Sequence, residues 1–123
     1  MSAVAPQPVS RLTGTTAASG ATTQTDLVVS DRTTKIVIRR VKLKRTAGAG
    51  ANFVPRIFKV SGAANGSINQ EFEGSSTAVA NLFDAVAEVY VFTDSAGKLY
   101  LQPSPDAGAD NTFEYEVYFE IVR

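Results

Sequence analysis

Residues 113–122 alternate strictly between apolar and polar side chains, and this pattern constrains the fold more than any other feature of the chain. The apolar set is Phe113, Tyr115, Val117, Phe119 and Ile121, and the intervening set is Glu114, Glu116, Tyr118 and Glu120. Side chains of a β-strand point alternately to its two faces. The pattern therefore predicts a half-buried antiparallel strand, with one face in a core and the other in water.

Shorter runs of the same kind occupy the chain from residue 26 onward. Strand candidates lie at 26–30, 35–45, 53–60 and 68–73, and residues 88–93 and 98–102 predict a hairpin closed by 94–97. Pro55 restricts its strand to an edge or a start. About seven or eight short strands joined by Gly, Asn, Asp and Pro predict an all-β fold, an antiparallel β-sandwich or jelly roll.

The long candidate at 35–45 contains a phase slip. The apolar alternation that starts at Ile36 resumes one residue out of step at Val41. A β-bulge produces such a slip, because one strand then carries an extra residue. We predict the bulge at Arg39 and Arg40.

One segment has helical spacing instead. Its apolar residues at i, i+3, i+4 and i+7 are Val79, Leu82, Phe83 and Val86. This spacing predicts a short helix or helical turn, with Thr77 as its N-cap.

Composition divides the chain near residue 26. Residues 1–25 are mostly Ser, Thr, Ala, Gly, Pro and Gln, with Arg11 as their one charged residue. Burial of so few apolar groups does not offset the entropy of ordering. We predict an extended N-terminal arm at 1–25 and a β-sandwich domain at 26–123. The arm is either a disordered tail or a segment that becomes ordered on a neighbouring subunit.

The chain contains no histidine and no cysteine. The usual base at neutral pH, the thiolate metal ligand and the common nucleophile pairs are therefore missing. The loop at 106–111 offers oxygen ligands to calcium, but without the dense spacing of a dedicated loop. The glutamates of 114–120 share one wet face, and nothing places an opposing carboxylate in a cleft. We expect no enzyme, cofactor or metal.

The charges are balanced in total but separated along the chain. Of the 12 basic residues, 9 lie between Arg32 and Lys59, and of the 12 acidic residues, 10 lie between Glu71 and Glu120. The basic run at 39–45 is either an anion-binding patch or a solvated strand face paired with the glutamates of the last strand. Zero net charge favours the cross-strand pairs. We therefore expect no nucleic-acid partner.

Membrane and export signals are not evident in the sequence. The first residues have no basic and apolar signal-peptide pattern. No apolar run approaches the ~18–20 residues that span a bilayer. We expect synthesis in a cytoplasm and no membrane partner.

Three tyrosines fall opposite the expected core phase of their strands: Tyr90, Tyr100 and Tyr118. Exposed tyrosines on a sheet can stack on sugars or bind a partner protein. Tyrosine is also simply favoured in strands.

The segment 94–103, Asp-Ser-Ala-Gly-Lys-Leu-Tyr-Leu-Gln-Pro, with 106–113 and 117–120 after it, resembles small virion proteins of tailed bacteriophages. An Ala/Thr/Ser-rich arm before a compact β domain is similar to head decoration (cement) proteins and to some tail and fibre subunits. The resemblance implies a virion protein, made in the host cytoplasm, that binds and stabilises the assembled head through its arm.

The implied partners are the major capsid protein or other virion proteins and further copies of the chain, with a trimer favoured. The expected partner-binding residues are Val4, Pro6, Pro8, Val9, Arg11 and Leu12 of the arm, and Arg39, Arg40, Tyr90, Tyr100 and Tyr118 of the domain. The alternatives are a tail- or fibre-associated subunit and a carbohydrate-binding receptor-recognition module.

Overall fold

The computed structural model describes residues 9–16, 23–48, 52–75, 81–104 and 111–122. These residues form strands and turns without a helix. The strands are β1 (Ser10–Thr15), β2 (Thr25–Val28), β3 (Lys35–Ala47), β4 (Arg56–Phe58), β5 (Gln70–Glu73), β6 (Leu82–Phe92), β7 (Lys98–Gln102) and β8 (Thr112–Ile121). The prediction of an all-β fold is confirmed.

The strands form two antiparallel sheets of four. The first sheet has the order β1-β8-β3-β6, and the second has the order β2-β7-β4-β5. One hydrophobic core contains residues of both sheets, which makes the fold a β-sandwich. The fully buried members include Ile36, Ile38, Val41, Leu43, Phe113 and Val117 of the first sheet and Leu27, Ile57, Leu99 and Leu101 of the second.

The terminal strand has the predicted faces. Phe113, Val117 and Phe119 are buried in the core, and Tyr115 packs against it. Ile121 is 36 % exposed at the end of β8. The sequence pattern thus located the strand that lies between β1 and β3 in the first sheet.

The predicted bulge is confirmed in β3. The register of β3 shifts between Ile38 and Arg40 against both of its neighbours, β6 and β8. The shift returns Val41 and Leu43 to the core side, where both are fully buried. Pro55 directly precedes β4, which agrees with the start position predicted for it.

The predicted helix is wrong where the structure describes it. Residues 82–92 form β6, with Phe83 buried and with Leu82 and Val86 exposed on the opposite face. Pairing along β3 imposes this two-residue period, because β3 supplies backbone partners from Lys35 to Lys44. Val79 and Thr77 lie outside the described residues.

The predicted hairpin is also wrong, because its two strands belong to different sheets. β6 is in the first sheet and β7 in the second, so residues 93–97 carry the chain from one sheet to the other. Asp94 Oδ1 accepts hydrogen bonds from the N–H groups of Ala96 and Lys98, both at 2.9 Å. A local turn signal is compatible with a hairpin or with a turn that leads into the other sheet. Here β6 pairs with β3, and β7 pairs with β2 and β4.

Part of the predicted arm belongs to the sandwich. Residues 10–15 form β1, which pairs along its whole length with β8 of the same chain. Leu12 packs against the core, and Thr16 is 3 % exposed. The boundary near residue 26 stays a prediction, and residues 1–8 and 17–22 lie outside the described part of the chain.

Candidate functional site

The arm residues of the predicted binding set differ in their placement. Val4, Pro6 and Pro8 lie outside the described residues. Val9 is 52 % exposed, and Arg11 is exposed with Nη1 3.8 Å from Glu116 Oε1. Leu12 packs against the core.

Arg39 and Arg40 lie in cross-strand ion pairs. Arg39 Nε donates to Glu120 Oε2 at 2.7 Å. Arg40 binds Asp84 through two bonds, of 2.7 and 2.5 Å. These bonds raise the pKa of both guanidinium groups and lower the pKa of Asp84. Arg39 thus has the predicted kind of partner, a glutamate of the last strand, whereas Arg40 pairs across the strands with Asp84 of β6.

Arg45, at the end of the basic run, departs from the predicted solvated face. Its residue is 6 % exposed, and its guanidinium carbon lies 5.2 Å from the ring centre of Phe53 and 5.6 Å from that of Phe113. Burial lowers the pKa of this group. The bulge causes this placement, because it turns the odd-numbered residues of β3 after Arg40 toward the core.

Tyr100 is buried, contrary to its predicted exposure. The residue is 7 % exposed, and its hydroxyl donates to the carboxylate of Asp94. This bond raises the pKa of Tyr100 to about 12 and lowers the pKa of Asp94. Asp94 lies in the turn after β6 and accepts the hydrogen bond of the Tyr100 hydroxyl. Strand periodicity alone does not reveal this partner and therefore predicted that Tyr100 is exposed.

The other two tyrosines differ in their exposure. Tyr118 is half-buried, and its hydroxyl donates to Glu116 Oε2 at 3.0 Å. The guanidinium carbon of Arg40 lies 5.8 Å from its ring centre. Tyr90 is 52 % exposed, and it is therefore the most exposed of the three.

Tyr90 belongs to a larger exposed surface that we call the apolar row. It lies on β6, on the outer face of the first sheet, and consists of Leu82, Val86, Tyr90 and Phe92, which are 48, 84, 52 and 56 % exposed. Lys35 Nζ lies 5.9 Å from the ring centre of Tyr90 and 5.7 Å from that of Phe92. Asp84 and Glu88 lie on the same face between these side chains, so carboxylates separate the apolar groups of the row. Several large exposed apolar side chains on one face of a sheet are typical of an interaction site.

Sequence reasoning missed most of this row. Four of the six even positions of 82–92 are apolar. The helical spacing of Val79, Leu82, Phe83 and Val86 obscured this strand pattern. Only the strand period places Leu82, Val86 and Phe92 on one face with Tyr90.

β6 also presents a free backbone edge. It is the last strand of the first sheet, and no strand in the described residues pairs with its other side. The opposite edge strand, β1, has 6 residues, whereas β6 has 11. A long edge strand presents unpaired backbone groups with which another chain can pair.

The second surface of interest is an open cleft of about 450 Å³ lined by Gln24, Gly62, Ala63, Ala64, Asn65 and Gln102. Gln102 Nε2 donates to Asn65 Oδ1 at 2.6 Å and to Ser104 Oγ at 2.7 Å. Gln24 Oε1 accepts from the N–H of Gly62 at 2.9 Å. We call this the amide cleft, since its polar groups are carboxamides that already bond to one another or to the backbone.

Comparison with known proteins adds no family. No protein-family model matches the chain, and no curated protein matches it. Within the described ranges, the chain forms no helix long and apolar enough to cross a membrane. The same ranges contain no group of three or more acidic side chains that could hold a metal ion.

Proposed function

We propose that the protein is a non-enzymatic structural subunit of a tailed-phage virion that decorates the assembled head. The observation that carries the binding role is the apolar row on β6, whose most exposed member, Val86, is 84 % accessible. The likeness of residues 94–120 to small virion proteins supports the virion assignment. The partner is the major capsid protein or another protein of the shell.

The apolar row supplies a driving force for docking. Burial of one exposed apolar side chain contributes about 1–2 kcal/mol, and the row offers four. The rest of this face carries ion pairs such as Arg40–Asp84 and Arg39–Glu120, which orient a partner more than they attract it. A protein that binds only the assembled shell adds its binding free energy to the stability of that shell.

The segment before β1 is the second contact in this proposal. Because β1 starts at Ser10, the segment that can reach a shell subunit without dismantling the sheet is residues 1–9. A peptide of this kind can add a strand to an exposed sheet edge of its partner.

The test measures binding of the purified chain to undecorated phage heads. Val86→Ser removes the centre of the apolar row, and Val28→Ser is its matched control, because Val28 is an exposed valine, 56 % accessible, on the second sheet. We expect Val86→Ser to weaken binding about tenfold and Val28→Ser to leave it unchanged. A third variant without residues 1–9 tests the arm.

Binding of the wild type that both valine variants retain would exclude the apolar row as the docking site. No binding to heads, with binding to purified tails, would replace decoration by the tail-associated alternative.

The amide cleft favours one further candidate, a carbohydrate-binding module. The exposed carboxamide of Asn65 is suited to hydrogen-bonding sugar hydroxyls. Gln102, which is 1 % exposed, holds Asn65 in place, and the cleft is large enough for one sugar ring. Glycan binding by the isolated chain that Asn65→Ala abolishes would support this candidate. Burial of Tyr100 removes it from the stacking platform that the sequence suggested.

A further inference from the structure

The backbone groups of β6 face two directions, and one direction has no partner in the described residues. At one end, the carbonyl of Asn81 accepts from the N–H of Arg45 at 2.6 Å, and at the other, the N–H of Thr93 donates to Thr34 at 2.9 Å. At both ends of β6, odd-numbered residues thus direct their backbone N–H and C=O groups to β3. Side-chain exposure alternates from Leu82 to Phe92 without interruption, so the strand keeps one phase along its whole length. The even-numbered residues therefore direct their backbone N–H and C=O groups to the free edge.

We propose that this edge pairs with the same edge of a second copy of the chain. The two β6 strands run antiparallel about a two-fold axis at Ala87. The first sheet of one copy thereby continues into the first sheet of the other. This dimer goes beyond the decoration role and is independent of it. The class of interface is a self-complementary strand pair.

The charges on β6 select the register. With the axis at Ala87, Leu82 faces the partner's Phe92, and Asp84 faces the partner's Tyr90. Val86 then faces the partner's Glu88, so no like charges are opposed. All eleven residues of β6 overlap, and the six even positions form the hydrogen-bonded pairs.

The neighbouring registers oppose like charges. An axis at Val86 places Asp84 opposite the partner's Glu88 in both halves of the interface. An axis at Glu88 places this residue opposite itself. Like charges directly opposite each other destabilise a strand pair, so the axis at Ala87 is the full-length register that the sequence of β6 permits.

Pairing in this register also enlarges the apolar surface. Side chains of hydrogen-bonded neighbours project on the same face of a sheet. The apolar rows of the two copies therefore lie side by side on the outer face, with Leu82 of one next to Phe92 of the other. Asp84 keeps its bonds to Arg40, which offset its charge at the new interface.

A cysteine at the axis tests the register directly, because the natural chain has none. In an antiparallel pair, Ala87 faces the partner's Ala87 in a non-hydrogen-bonded site with about 4.5 Å between Cα atoms, which a disulfide can bridge. We expect Ala87→Cys to form a linked dimer under mild oxidation. Ala85→Cys is the control, since it lies about 13 Å along the strand from its own copy and cannot link.

Two substitutions at the exposed Val86 test the charge pattern. Val86→Glu opposes the partner's Glu88 twice, and we expect it to raise the dimer dissociation constant about tenfold. Val86→Lys opposes the same glutamate with the opposite charge, and we expect it to leave the constant unchanged or lower it. Sedimentation of the full chain measures both constants.

Equal weakening by both substitutions would indicate general apolar association and overturn the proposal. So would a monomer at high concentration, a trimer as the phage resemblance implies, or equal disulfide linking at positions 85 and 87. Linking at 87 by a protein that binds no phage head would leave the dimer in place and remove the decoration role.

Discussion

At the scale of residues, the carboxylate of Asp94 organises the passage between the two sheets. It accepts the N–H groups of Ala96 and Lys98 and the hydroxyl of Tyr100. One side chain thus ties the turn to the strand that follows it. A carboxylate with several donors has a low pKa, and the pKa of Asp94 is lowered, first by Tyr100.

The first prediction concerns Tyr100→Phe. The change removes a buried hydrogen bond to a charged group, and we expect it to lower the free energy of unfolding by about 2 kcal/mol. The pKa of Tyr100 is raised from 10.0 to about 12. The stability from this bond is therefore complete below about pH 10 and is lost as the pH rises from about 10 to about 12.

Urea unfolding at pH 7 and across this alkaline range measures both effects. Tyr118→Phe is the control, because Tyr118 is half-buried and bonds to Glu116 on the wet face. An alkaline loss in Tyr100→Phe as large as in the wild type would contradict the assignment.

The second prediction concerns Gly97, whose φ is +77°. A Cβ at this position would overlap the backbone carbonyl of Ser30. We expect Gly97→Ala to cost at least about 3 kcal/mol of unfolding free energy, since it adds a backbone clash to the strain of a left-handed conformation.

Gly66→Ala separates the two contributions. Gly66 has nearly the same φ, +72°, but open space around its Cβ position, so its substitution should cost about 1–2 kcal/mol. Equal losses in the two variants, measured by urea unfolding, would mean that the contact with Ser30 contributes nothing.

At the scale of elements, opposite charges face each other between β3 and its neighbours on the outer face. Lys42 lies in register with Glu116 of β8 and with Asp84 of β6. Lys44 lies in register with Glu114 of β8 and with Leu82 of β6. The separation of basic and acidic residues along the chain thus becomes alternation in space, which explains a charged face in a chain of zero net charge.

The third prediction reverses one of these pairs. Lys44→Glu opposes Glu114 with a like charge, and we expect a loss of about 0.5–1 kcal/mol of unfolding free energy. Glu114→Lys should cost a similar amount. The double variant should recover most of the loss, because it restores opposite charges in the same register.

A double-mutant cycle from urea unfolding measures the coupling, which should shrink at 1 M salt. Additive losses in the cycle would show that the two side chains do not interact across the strands.

At the scale of the whole molecule, β1 completes the first sheet beside β8. Thr16 closes this contact, since its N–H donates to the carbonyl of Phe113 at 2.8 Å and its Oγ1 accepts from the N–H of Phe113 at 3.0 Å. The fold therefore depends on residues that composition alone assigns to a tail.

The fourth prediction compares two truncations. Removal of residues 1–9 should leave the melting temperature unchanged, because β1 begins at Ser10. Removal of residues 1–16 uncovers β8 and the core beside Leu12, and should cost about 3 kcal/mol or more. Thermal unfolding distinguishes them, and equal melting temperatures would place β1 outside the cooperative unit.

The sequence by itself determined what depends on local periodicity. The alternation of residues 113–122 located β8 and its buried face, and the phase slip between Ile36 and Val41 located the bulge of β3. Both patterns succeed because each residue reports its own face of a strand. The all-β class follows from many such segments.

Tertiary structure decided which strands meet and which side chains face water. Residues 94–97 have the composition of a hairpin turn, yet β6 pairs with β3, and β7 pairs with β2 and β4. Tyr100 is buried because a carboxylate from the crossing turn reaches its hydroxyl. The apolar row exists because β3 holds residues 82–92 in a strand, overriding a helical spacing. Such outcomes depend on contacts between residues distant in the chain, which no local pattern records.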